Sequence, residues 1–130
     1  MKKLLFIPLL LFALSSCGTA NTSSNKILES SKDSSYGFTE KNPIKVGGIG
    51  SGPHNERNYL NSLTGPNGEK VSYERRGSCC EFKSHNSPFG MGLLDKYAVT
   101  YEGKNDTVTV YLNMYDKAQT MAPLGFKINK

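Results

Sequence analysis

The stretch Leu94-Asp95-Lys96-Tyr97-Ala98-Val99-Thr100-Tyr101-Glu102-Gly103-Lys104-Asn105-Asp106-Thr107-Val108-Thr109-Val110-Tyr111-Leu112-Asn113-Met114-Tyr115 decides the fold class. Tyr97, Val99 and Tyr101 alternate with Lys96, Ala98, Thr100 and Glu102. Val108, Val110, Leu112 and Met114 then alternate with Thr107, Thr109, Tyr111, Asn113 and Tyr115. Successive side chains of a strand point to opposite faces, so a period of two marks a half-buried strand. Gly103-Lys104-Asn105-Asp106 supplies turn chemistry between the runs, and the whole reads as a β-hairpin.

Upstream of the hairpin, residues 70–75 alternate, with Val71 and Tyr73 pointing one way. Residues 77–82 carry two adjacent cysteines, Cys79 and Cys80, and residues 83–92 read as a polar loop containing Pro88. Asn42-Pro43-Ile44-Lys45-Val46 is a short first strand, followed by the loop Gly47-Gly48-Ile49-Gly50-Ser51-Gly52. Pro53 opens a helix, because its fixed φ suits a first turn in which the missing N–H has no partner to lose. That helix runs over 53–63 with a narrow apolar stripe of Tyr59, Leu60 and Leu63, and Gly65-Pro66 stops it. Asn67-Gly68 is a turn, and residues 123–128 add a final strand or cap. The expectation is one α+β domain over 36–130, an antiparallel sheet of about four strands with one helix packed on it. No internal repeat and no second domain is visible.

The chain begins Met1-Lys2-Lys3, a short positive segment, and residues 4–14 are apolar throughout. That run is too short for a stable membrane span, which takes about 20 apolar residues. It matches the apolar core of a secretory signal. Leu14-Ser15-Ser16-Cys17 then has the form of a lipobox. Over residues 1–17 the chain resembles the bacterial lipoprotein class. That resemblance implies a signal peptide over 1–16, cleavage before Cys17, a diacylglyceryl group on the Cys17 sulfur and usually an acyl chain on its new amino group. Two or more acyl chains make a stable anchor where one is marginal. Gly18 stands where an aspartate would favour inner-membrane retention, so the expected location is the periplasmic leaflet of the outer membrane. Residues 17–35 are rich in Ser, Asn, Thr and Lys, with Ile27 and Leu28 as the only large apolar residues, and read as a disordered tether. Its root-mean-square reach would be roughly 25 Å.

The 130-residue chain carries a formal charge of +5. Cleavage would remove Lys2 and Lys3, leaving 114 residues at +3, enough for one modest core. The charges are mixed along the chain, and Arg75-Arg76 is the densest basic point, so there is no nucleic-acid footprint.

Lipidation of Cys17 leaves Cys79 and Cys80 as the cysteine chemistry. An exported chain meets oxidising surroundings, so a bond between these neighbours is permitted, and a vicinal disulfide has a labile, switching character. A second reading adds His85, with His54 further off, as thiolate and imidazole ligands for Zn²⁺ or Cu(I). Against it, adjacent cysteines splay apart in a regular strand, and plain buried thiols are the simplest account. His54 and Glu56 offer an acid–base pair that Asp95 or Asp116 could join, but no nucleophile elbow or H-E-x-x-H accompanies them. The glycine loop lacks both G-K-[ST] and G-x-G-x-x-G, and the residues call for no cofactor. Its helix start offers free N–H groups to an anion, with a plain loop as the simpler account. The seven tyrosines fit cross-strand packing better than a sugar- or peptide-binding surface.

Tyr36-Gly37-Phe38-Thr39-Glu40-Lys41-Asn42-Pro43-Ile44-Lys45-Val46-Gly47-Gly48 resembles a family of small bacterial envelope lipoproteins of unknown function, as do Gly65-Pro66-Asn67-Gly68-Glu69, Gly77-Ser78-Cys79-Cys80, Leu93-Leu94-Asp95 and Leu112-Asn113-Met114-Tyr115-Asp116. Members sometimes carry the label 2-dehydro-3-deoxyphosphooctonate aldolase. The enzyme of that name is a cytoplasmic (β/α)₈ barrel acting on phosphorylated sugars, and such barrels need at least about 200 residues. The label therefore carries no catalytic residue over to this chain. The expected function is a membrane-anchored, non-catalytic binding or structural module with an envelope protein or glycan as partner. A redox or metal-handling role for Cys79 and Cys80 is the alternative, and an enzyme joining His54, Glu56 or Asp95 to the cysteines is a third.

Overall fold

A computed structural model describes residues 30–48 and 51–129. The expected leader, Cys17 and residues 17–29 of the expected tether lie outside the described residues, as do Ile49, Gly50 and Lys130. In chain order the elements are β1 (Ile44–Lys45), α1 (Gly52–Ser62), β2 (Leu63–Thr64), β3 (Val71–Lys83), β4 (Met91–Tyr101), β5 (Val108–Asn113) and β6 (Lys127–Ile128). Four strands form a sheet in the order β1-β5-β4-β3, and β2 pairs with β6 in a small second sheet. The fold class is α+β, with α1 packed on the larger sheet.

The expected all-antiparallel sheet needs one correction. Strands β3, β4 and β5 are antiparallel neighbours, but β1 runs parallel to β5, with Ile44 opposite Leu112. A parallel neighbour requires a crossover, and here α1 and the chain through β3 and β4 supply it. Alternation in a sequence reports which face a side chain takes, not the direction of the strand beside it.

Two boundaries also move. β3 is one strand of 13 residues where two segments were expected, and β4 starts at Met91, inside the expected polar loop. The tether expected over 17–35 has already given way to paired backbone at Ser30, which bridges Ala122. The Ser31 N–H donates to the Ala122 carbonyl at 2.7 Å, and Ser31 is buried. Small polar residues give no apolar signal, so this docking through backbone hydrogen bonds was not legible in the sequence.

The helix keeps its expected start, with extended Ser51 before it and Pro53 in its first turn, but ends at Ser62 so that Leu63 opens β2. Its buried residues are Glu56, Tyr59 and Leu60, so the stripe lies one turn nearer the helix start than expected and contains a carboxyl. Ile44, Leu60, Val99, Val110 and Leu112 are completely buried at the centre of the core. Each such aliphatic side chain is worth roughly 1.5–3 kcal/mol of burial. Phe126, in the segment before β6, stacks edge-on against Tyr101 with ring centroids 5.6 Å apart. No helix among the described residues is long and apolar enough to cross a membrane.

Candidate functional sites

Strand β3 carries two bulges, and they build the first site. Arg75 lies opposite Tyr97 and Gly77 opposite Lys96, so Arg76 is an extra residue. In a regular strand, Arg75 and Ser78 would point to opposite faces because they are three residues apart. The extra residue resets the alternation and puts both against Asp95, which lies opposite Ser78 on β4. Gly77 has φ +104°, a left-handed conformation that a residue without a Cβ adopts freely.

Asp95 is thereby held on two sides. Arg75 Nε donates to Asp95 Oδ2 at 3.1 Å and Arg75 Nη2 to Oδ1 at 2.9 Å, a forked pair. Ser78 Oγ donates to the same Oδ1 at 2.5 Å. Burial pushes the Asp95 carboxyl up, but the hydrogen bonds from Arg75 and Ser78 and the guanidinium charge outweigh it, and the net shift is below the ordinary value.

Glu56 reaches the same face from α1 and is completely buried. The Tyr97 hydroxyl donates to its Oε2 at 3.0 Å, while Oε1 has no hydrogen-bond partner among the described residues. Burial, followed by the charge of Asp95, pushes Glu56 up to about 7. Protonated, Oε1 becomes a donor, and Asp95 is the acceptor facing it. Two carboxyls in a shared site cannot both ionise easily, so the charge on Asp95 favours a proton on Glu56. Burial and the Glu56 charge also raise Tyr97 well above the usual phenol range.

Of the expected acid–base set, the structure brings Glu56 and Asp95 together and leaves the others apart. His54 is exposed, and no hydrogen bond joins it to Glu56 among the described residues. Asp116 accepts from Ser84 Oγ at 2.6 Å, Asn86 Nδ2 at 2.9 Å and Asn113 Nδ2 at 3.0 Å. These bonds, Ser84 first, hold Asp116 below its ordinary value and tie two loops together.

The second bulge is Cys80, the extra residue between Cys79 opposite Leu94 and Glu81 opposite Leu93. Its φ is +62°, which residues other than glycine rarely adopt. The Cys79 and Cys80 sulfurs are 2.00 Å apart and bonded, with Cα atoms 3.7 Å apart. Cys79 follows Ser78 directly, so it faces away from Asp95, and the expected meeting of acid–base pair and cysteines is not made. The expected ligand set of Cys79, Cys80 and His85 also needs correcting. His85 is exposed in the loop after β3, and among the described residues the group that gathers at the sulfurs contains Glu40 instead. Glu40 comes from the turn before β1, 39 positions ahead of Cys79, and no local pattern links them.

A groove of about 450 Å³ lies between α1 and the chain around Lys117. Asn55, Asn58 and Ser62 line it from the helix at i, i+3 and i+7, and Lys45, Lys117 and Thr120 face them. A neighbouring cavity of about 490 Å³, which Asn86 and Tyr115 help to line, shares Gly48 and Lys117 with the first. No carboxylate among the described residues lines either space. The described ion pairs are Arg75–Asp95 and Arg76–Glu74, so neither Lys45 nor Lys117 is paired among the described residues. Gly47 lets the two walls approach: its N–H donates to the Asp116 carbonyl at 2.8 Å. Sequence reasoning missed this site. The Asn55-Asn58-Ser62 spacing, beside the buried stripe, was the available signal.

No protein-family profile matches the chain, and neither a curated protein nor a solved structure matches it.

Proposed function

We propose that the protein is a lipid-anchored envelope binding module, held to the outer membrane through Cys17 and facing the periplasm, and that its groove takes an anionic, hydroxyl-rich glycan. The observation that carries the ligand reading is the lining: two lysines without an ion-pair partner among the described residues, beside two amides and two hydroxyls, with no carboxylate among the described lining residues. Ammonium groups supply attraction for acidic groups on the glycan. The Asn55 and Asn58 amides can donate and accept at once, as sugar hydroxyls require.

Titration of the full-length protein with acidic and neutral oligosaccharides of equal length, followed by amide chemical shifts, tests this. Acidic oligosaccharides are expected to move the Asn55, Asn58 and Lys117 signals, and the binding should weaken as salt rises. The double substitution Lys45→Glu and Lys117→Glu is expected to weaken binding at least tenfold, about 1.4 kcal/mol. Equal binding of neutral and acidic oligosaccharides, or shifts confined to another surface, would sink the ligand reading. The anchor is tested separately by metabolic labelling with an acyl-chain analogue: label on the wild type but not on Cys17→Ala supports it, and an unlabelled wild type refutes it.

A further inference from the structure

We propose that Cys79, Cys80 and Glu40 form a metal site that exists only when the disulfide is reduced, and that it takes a borderline thiophilic divalent cation of the Zn²⁺ class. The proposal stands independently of the glycan groove.

The sulfurs of Cys79 and Cys80 and a carboxylate oxygen of Glu40 all lie within 4.8 Å of one another. Neighbouring cysteines in a regular strand point to opposite faces and cannot chelate one ion. Here they are not in a regular strand. Cys80 is the bulged residue, with φ +62°, and its side chain turns to the same side as that of Cys79. The pairs Cys79 with Leu94 and Glu81 with Leu93 bracket the bulge on the ladder with β4, so backbone pairing holds it on both sides.

The third donor is also placed by structure rather than by chance proximity. Glu40 belongs to a turn closed by the Gly37 N–H donating to the Asn42 carbonyl at 2.8 Å. Asn42 Nδ2 donates to Asp33 Oδ2 and to Ser35 Oγ, each at 2.9 Å. The Tyr111 N–H of β5 donates to the Gly37 carbonyl at 2.8 Å, which fixes the turn to the sheet. Glu40 is exposed and has no ion-pair partner among the described residues.

Closed as a disulfide, the two sulfurs are poor ligands. Reduction by a dithiol breaks the S–S bond: two electrons and two protons arrive as two thiols, and the reductant leaves as its own disulfide. The cation then replaces both thiol protons, which are released to solvent. Two thiolates, one carboxylate and one water complete a tetrahedral set that suits Zn²⁺ and rejects Mg²⁺ and Ca²⁺, which require oxygen ligands throughout.

Full-length protein would be compared before and after reduction with a phosphine, with Co²⁺ as the spectroscopic probe under anaerobic conditions. The expected result is one Co²⁺ per chain in the reduced protein, with a thiolate-to-metal charge-transfer band and release of two protons, and no such band in the oxidised protein. Zn²⁺ should displace the probe. Cys80→Ser is expected to abolish the band, and Glu40→Gln to weaken binding at least tenfold while leaving the unfolding midpoint of the oxidised protein unchanged. Reduced protein that takes up no stoichiometric Co²⁺ would overturn the site. So would binding that survives Cys80→Ser, or a loss in His85→Ala with none in Glu40→Gln.

Discussion

Replacing Glu56 by glutamine is expected to abolish most of the stability loss that the protein undergoes as pH rises toward and through neutrality. Glu56 has an ordinary value of 4.5 and is raised to about 7 in the fold, first by burial and then by the charge of Asp95. Between those two values the folded chain holds a proton that the unfolded chain has released. Stability is therefore fully present below the unfolded value and falls as pH rises through the folded one. A shift of that size corresponds to about 3 kcal/mol. Glutamine cannot ionise, fills nearly the same volume, and presents an N–H₂ that Asp95 can accept. Urea unfolding at pH 5 and pH 8 measures the effect. The wild type should lose about 2–3 kcal/mol between them and Glu56→Gln little; parallel losses in the two proteins would refute the buried carboxyl pair. Asp95 has the opposite sign. Its folded value is depressed, so the stability it adds is present above 3.8 and is lost as pH falls through the folded value. The two together place the stability maximum in mildly acidic solution.

Replacing Gly47 by alanine is expected to destabilise the protein by about 3 kcal/mol, the upper part of the usual range for overpacking. A Cβ there would lie 2.3 Å from the Tyr115 carbonyl oxygen, 2.4 Å from its carbon and 2.7 Å from the Asp116 oxygen. All three are backbone atoms that no rotamer change can move. The strand end carrying Lys45 and Val46 and the segment carrying Lys117 would be forced apart, so the proposed glycan binding should weaken with stability. Thermal unfolding of both variants and titration of the folded fraction separate the two effects. Gly77→Ala makes the contrast. Nothing lies within 4 Å of its Cβ position, but its φ of +104° is strained for alanine, so the cost should be conformational and smaller, about 1–2 kcal/mol. If Gly47→Ala proved no worse than Gly77→Ala, the close approach of backbone at the groove would be wrong.

Fold class was legible because it rests on local periodicity. The hairpin of β4 and β5 shows its alternation in Tyr97, Val99, Val110 and Leu112, all of which are buried. The helix shows its start in Pro53, and Gly103 turns the chain with φ +85° where the sequence placed a turn. These features depend on residues within a few positions of one another, and the chain's own stereochemistry settles them.

The sites depend on something else. Alternation predicts faces only while a strand stays regular, and β3 breaks register twice. One bulge turns Ser78 toward Asp95 alongside Arg75, and the other turns Cys80 to the side of Cys79. The sequence offers His54, Asp95 and Asp116 as companions of Glu56, and the fold selects Asp95 and adds Tyr97, both across the core. Glu40 reaches the cysteines, and Lys45 reaches Lys117, only because β1 docks parallel to β5 and brings its flanking turns with it. The sequence by itself determined the α+β class, the hairpin and the helix, because short-range patterns encode them. The tertiary structure alone decided which charged and sulfur-bearing side chains meet, because that depends on register shifts and strand pairings between residues far apart in the chain.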